Sequence, residues 1–112
     1  MPQPHTNQNV EQLRHQFPTL PDDYFHHLSK IGWGETNGRM IYEGPIYSDE
    51  IYGQIDELND IVLLGDDFQG YCLGYNLITS CYGEVTDSGT WEAWPSTEGI
   101  EHYFDDPEKN AT

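Results

Sequence analysis

The chain has 112 residues, the size of one ordinary domain, and sets 20 Asp and Glu against 4 Lys and Arg, for a formal net charge of −16. Nucleic-acid binding needs basic side chains that displace counterions from phosphates, and an anionic membrane repels an acidic surface, so neither is expected as a direct partner. A basic protein partner is favoured, because opposite fields speed encounter by roughly 10–10³-fold, although an acidic surface also simply keeps a protein soluble.

Residues 1–9 are rich in Pro, Gln and Asn and read as a flexible tail. They lack the apolar run of a signal peptide, and no stretch approaches the ~20 apolar residues of a membrane span, so the cytosol is the expected compartment. Val10, Leu13 and Phe17 recur at helical spacing, and Pro18 ends that short helix. A second helix is predicted over 21–31. Pro21 suits its first position, Asp22 and Asp23 complement its dipole, and Gly32 caps it. Leu20, Tyr24, Leu28 and Ile31 share its packing face, with Phe25 beside them.

The period then shortens. Asn37-Gly38 marks a turn, and Arg39–Tyr42 and Ile46-Tyr47 read as short strands around Gly44-Pro45. Ser48-Asp49-Glu50 predicts a helical turn ending near Gly53, while 54–59 reads as either loop or helix. Ile61–Leu64 is an unbroken apolar run, expected as a strand buried on both faces. Gly65–Gly70 is a tight connection into a strand over Tyr71–Leu77, with Tyr71, Leu73, Tyr75 and Leu77 towards the core. Glu84–Thr86 and Thr90–Trp94 are further short strands. Ser96 and Glu98 open a last helix with Ile100, Tyr103 and Phe104 inward, stopped by Asp105-Asp106-Pro107. Helices, a meander of strands and a helix make an α+β fold: a mainly antiparallel, curved sheet with helices packed on one side. Residues 10–106 form the single domain and 107–112 a polar tail.

No residue pattern picks out catalytic chemistry. Adjacent His26 and His27 point about 100° apart on a helix and cannot chelate one ion together, so these, His15 and His102 read as surface histidines. Asp66-Asp67 could offer oxygens to a cation, but two Asp more simply cap a turn. Cys72 and Cys81 lack a Cys-x-x-Cys spacing and read as inert thiols, with a disulfide open to them only if they face each other across a hairpin. No P-loop, dinucleotide fingerprint or nucleophile elbow is present. No metal and no cofactor is expected, and the chain reads as a binding protein, not an enzyme.

Leu20-Pro21-Asp22-Asp23-Tyr24, then Leu28 and Ile31-Gly32-Trp33-Gly34-Glu35, resembles the opening of the SUKH superfamily, which includes fungal cell-wall-assembly regulators and many bacterial immunity proteins. Leu64–Leu73 is similar to that family's Gly-Asp-rich turn into a central hairpin, and Gly83-Glu84-Val85 to its short return strand. The likeness spans roughly residues 18–104. It implies a SUKH-like fold and a protein that neutralises a cognate toxin of a polymorphic toxin system. Such toxins are often nucleases, whose basic clefts an acidic protein complements. The alternative that the fungal branch suggests is a non-enzymatic adaptor binding a cellular protein. The expected contact residues are Trp33, Glu35, Asp49, Glu50, Asp56, Glu57, Asp60, Asp66, Asp67 and Trp94, with Trp91 a further aromatic candidate.

Overall fold

The computed structural model describes residues 3–36, 38–95 and 99–104. Six strands form one antiparallel sheet in the order β1-β2-β3-β4-β5-β6, each paired with its neighbour in sequence. They are β1 (Gly34–Thr36), β2 (Arg39–Tyr47), β3 (Ile61–Asp66), β4 (Cys72–Asn76), β5 (Cys81–Val85) and β6 (Trp91–Ala93). Helices α1 (Asn7–Gln16) and α2 (Asp22–Lys30) precede the sheet, α3 (Asp49–Tyr52) and a 3₁₀ turn (Asp56–Leu58) join β2 to β3, and α4 (Glu101–Phe104) closes the described chain. This is the expected α+β architecture with a curved sheet.

The strands separate two apolar clusters. On one face Val62, Leu64, Leu73, Tyr75 and Tyr82 meet Val10, Phe17, Leu20, Tyr24, Phe25, Leu28, Ile100 and Tyr103 from the α1, α2 and α4 regions. On the other, Ile61, Leu63, Cys72 and Val85 meet Leu58, with Tyr42, Tyr52, Ile55 and Trp91 packed around them. Alternate residues of β3 and β4 therefore enter different clusters. The apolar run in β3 has its cause here, since each fully buried aliphatic side chain contributes roughly 1.5–3 kcal/mol. The set containing Cys72 and Gly74 does not face water; the 49–60 segment and Trp91 cover it.

Several local expectations change. Strand β2 is continuous over nine residues, and the Gly44-Pro45 interruption lies in an irregular stretch between the Ile41↔Gly65 and Ile46↔Leu63 pairings. Proline is tolerated at such a bulge because no ladder hydrogen bond is asked of it. A side chain at Gly65 would collide with the Met40 carbonyl oxygen, so β2 and β3 approach closely only because that residue is glycine. The expected tail is engaged from residue 3: the Gln3 and Trp33 backbones exchange hydrogen bonds, and His5 N–H donates to the Leu28 carbonyl at 2.9 Å. Helix α1 starts at Asn7, capped by the Thr6 hydroxyl, which accepts from Asn9 N–H at 3.2 Å.

Ile31 is 47% exposed, contrary to its expected core position, because α2 ends at Lys30 and the chain turns away. Both Ile31 and Gly32 N–H groups return to the His27 carbonyl, and Gly32 has the expected positive φ, +108°. Tyr71 is 37% exposed, also against expectation, because β4 begins one residue later. His27 is buried, not on the surface, and stacks on Phe104 with ring centroids 5.0 Å apart. The expected Ser96/Glu98 helix start and the Asp105–Pro107 stop lie outside the described residues. Among the described residues no helix is long and apolar enough to cross a membrane.

Candidate functional site

The 48–60 segment crosses the second face of the sheet as an amphipathic strap. Tyr52, Ile55 and Leu58 turn inward against β3, β4 and β5. Asp49, Glu50, Asp56, Glu57 and Asp60 are all exposed. The strap is tied at both ends: Ser48 Oγ donates to the Leu58 carbonyl at 2.7 Å, and Leu77 N–H donates to the Asp60 carbonyl at 2.9 Å. Ser48 thus closes the strap and does not cap α3 with its side chain, as the sequence suggested. Glu50 accepts from Tyr47 N–H at 3.3 Å. Tyr47 and Ile51, each about half exposed, stand among these carboxylates. An open cleft of ≈ 170 Å³ lies there, lined by Tyr47, Ser48, Asp49, Gln54, Asn59 and Ile61.

No Lys or Arg occurs between Arg39 and Lys109. Of the other cations, Arg14 pairs with Asp22 at 2.8 Å and lies 4.5 Å from the Phe25 ring centre. Arg39 is buried. Exposed carboxylates also occur on both long helices, on β1 through Glu35 and on β6 through Glu92. Exposed carboxylates are therefore spread over the described residues, five of them within 49–60. Glu35 serves partly to fix its hairpin, accepting from Gly38 N–H at 3.3 Å.

Asp66 and Asp67, grouped with the contact carboxylates by sequence but also read there as turn caps, do cap the β3–β4 turn, Asp66 half-buried and Asp67 buried. Asp66 accepts from the Tyr42 hydroxyl at 2.8 Å and from Phe68 N–H at 2.9 Å. Asp67 accepts from Gln69 N–H at 2.8 Å and Tyr71 N–H at 3.2 Å, and its other oxygen lies 3.4 Å from Arg39 Nη1. Both side chains of that ion pair are 9% exposed. Arg39 also donates from Nε to the Tyr103 carbonyl at 3.1 Å, so one guanidinium joins the β1–β2 hairpin, the β3–β4 turn and α4. In that turn Phe68 has φ +65° and is 61% exposed. A left-handed non-glycine residue costs on the order of 1 kcal/mol, and here the two Asp caps offset it.

The tryptophans are less available than expected. Trp33 packs against the helix-side cluster and is bridged to Gln3. Trp94 packs on the same cluster, its ring centre 6.2 Å from that of Tyr82. The Trp91 indole lies across the paired Gly74 and Gly83, where added Cβ atoms would sit 2.9 and 2.6 Å from it.

The buried thiol of Cys72 is not activated as a nucleophile. The Cys72 thiol accepts from the Tyr52 hydroxyl at 3.2 Å, and burial pushes its pKa up against the opposing pull of the Tyr52 and Tyr42 hydroxyls. A raised thiol pKa means little thiolate at neutral pH. Burial, then the hydrogen bond to Asp66, pushes the Tyr42 phenol far up. Cys72 pairs with Val85 and Cys81 with Asn76, at opposite ends of the β4–β5 hairpin, so the two thiols do not face each other and both are free. No group of three His, Cys, Asp or Glu among the described residues is placed to hold a metal ion.

The sequence reading missed Arg39, Asp23 and Phe68. Arg39 was legible as one of four cations in an acidic chain, and Phe68 as an aromatic inside an otherwise polar turn. Nothing local marked Asp23, whose partners lie 59 and 77 residues away. Comparison with known proteins gives no match: no family model fits the chain, and neither a curated protein nor a solved structure resembles it significantly.

Proposed function

We propose that this protein is a non-enzymatic immunity protein that binds a cognate bacterial toxin and covers its basic active-site surface, most simply that of a nuclease. The observation that carries the reading is the strap: five exposed carboxylates in residues 49–60, in a stretch of chain free of Lys and Arg, held on a fixed sheet. A nuclease cleft must be positive to hold phosphate, and its field is complementary to this one. The resemblance of Leu20–Glu35 and Leu64–Leu73 to the SUKH superfamily supports the same role.

The test is co-purification with the product of the adjacent gene, and inhibition of its activity, at low and high salt. The reading requires binding that weakens with salt. It also requires that Glu50→Lys/Asp56→Lys/Glu57→Lys slow association by about tenfold or more while the melting temperature holds. If no protein from the same locus binds or is inhibited at low salt, the reading fails.

A further inference from the structure

We infer that the β3–β4 turn, with Phe68 at its tip, is the apolar anchor of the partner-binding surface, and that it fits an apolar pocket rimmed by Lys or Arg on a cationic protein. The inference rests on the proposed function and goes beyond it by naming the contact that holds the complex.

Folding opposes a phenylalanine at this position twice. Its side chain is 61% exposed, and its φ of +65° belongs to the region that glycine occupies without penalty. Gly70, in the same turn, meets a φ of +98° in the ordinary way. A residue that local folding disfavours, held in place by its surroundings, points to a role outside folding.

The turn is also preorganised. The N–H groups of Phe68, Gln69 and Tyr71 all donate to Asp66 or Asp67 carboxylates, and Asp67 N–H donates to the Tyr71 carbonyl at 3.0 Å. Arg39 clamps Asp67 from below. Docking such a tip loses little backbone freedom. Tyr71, partly exposed, widens the apolar surface.

Charge selects the partner. Asp87 abuts the turn, since a Cβ on Gly70 would lie 3.1 Å from the Asp87 Cβ, and Asp66 flanks it. Arg39 is buried and supplies no positive surface. A second copy of this chain, at −16, would be repelled, as would a nucleic acid. Aromatic anchors commonly carry the energy of a binding hot spot, and flanking charges steer the encounter. By contrast Ile78, 73% exposed in the β4–β5 turn, is flanked by uncharged Leu77 and Thr79 and lacks this steering.

The probes are two short arginine-rich peptides, one with a leucine stripe at helical spacing and one with serine at those positions. Each is titrated calorimetrically at low salt into the full chain, Phe68→Gly and Ile78→Ser. The wild type should bind the leucine peptide about tenfold tighter than the serine peptide. Phe68→Gly should lose that preference, keep the salt-sensitive binding, and melt higher because its φ is relieved. Ile78→Ser should retain the preference. The anchor is overturned if the wild type shows no preference, or if Phe68→Gly keeps it. If neither peptide binds the wild type at low salt, the electrostatic basis of the proposed function is lost and the anchor falls with it. Binding of both peptides without dependence on Phe68 removes the anchor alone.

Discussion

The Tyr82 hydroxyl donates to Asp23 Oδ1 at 2.9 Å, joining the first turn of α2 to strand β5. The second Asp23 oxygen accepts from Ile100 N–H at 2.8 Å, so one carboxylate ties an early helix, a late strand and the C-terminal segment. Tyr82→Phe should cost about 1.5 kcal/mol in urea unfolding, the low end for a hydrogen bond to a charged acceptor, and Asp23→Ala, which loses two such bonds, about 3 kcal/mol. Burial, then the Asp23 charge, pushes the Tyr82 phenol far above its ordinary value. The folded state then holds that proton where the unfolded state releases it. The associated stability is complete below pH ~10 and declines as pH rises beyond it. Tyr82→Phe should flatten that alkaline decline.

Arg39 and Asp67 form a buried pair, and removing one partner leaves the other uncompensated. Arg39→Met should destabilise the fold by about 3 kcal/mol. Asp67→Asn, which retains an acceptor for Gln69 and Tyr71, should cost less. An Arg39→Met loss no larger than that of Asp67→Asn would mean that burying the Asp67 charge without its guanidinium is not the dominant cost.

His27 gives the acid side of the stability profile. Burial lowers its pKa, Asp23 pulls it up and His26 pushes it down, and its Nε2 has no hydrogen-bond partner among the described residues. The folded state resists the proton that the unfolded state accepts. The contribution is therefore present above pH ~6.5 and is lost as pH falls towards the depressed folded value, with a slope of up to about 1.4 kcal/mol per pH unit. His27→Phe should reduce that slope between neutral and mildly acid pH in guanidinium titrations. An unchanged slope would place the acid sensitivity elsewhere.

Cys81 is partly exposed at the start of β5, whereas Cys72 is buried beneath Tyr52. A thiol-specific chromogenic reagent should modify Cys81 in the native protein and reach Cys72 only on unfolding. Cys81→Ser should abolish the fast phase and leave the slow one. A fast phase that survives this change would show Cys72 to be accessible.

Much of the scaffold was readable because its signals are local. The Leu20, Tyr24, Leu28 spacing, the apolar run Ile61–Leu64 and the positive-φ glycines after α2 and α3 all act within a few residues of where they sit. What escaped depends on distant contacts. Asp66 and Asp67 were legible as turn caps, but their partners Tyr42 and Arg39 arrive from another strand and were not. Tyr71 fits the alternation of β4, but the Asp67 caps draw its backbone into the turn. Gln3 reads as tail because its partner, Trp33, lies beyond two helices. The strap carboxylates at Asp49, Glu50, Asp56, Glu57 and Asp60 were legible as an acidic run, and their exposure follows from the inward set of Tyr52, Ile55 and Leu58.

Because every strand pairs with the strand next to it in sequence, no crossover has to thread before the sheet can close. Apart from the 48–60 strap between β2 and β3, each hairpin can form with only a short loop to order, and the ladder can lengthen outward from β3–β4 in both directions. Assembly of this domain should therefore be quick for a structure so rich in strand, with a single exponential phase and with docking of the terminal helices as its last event.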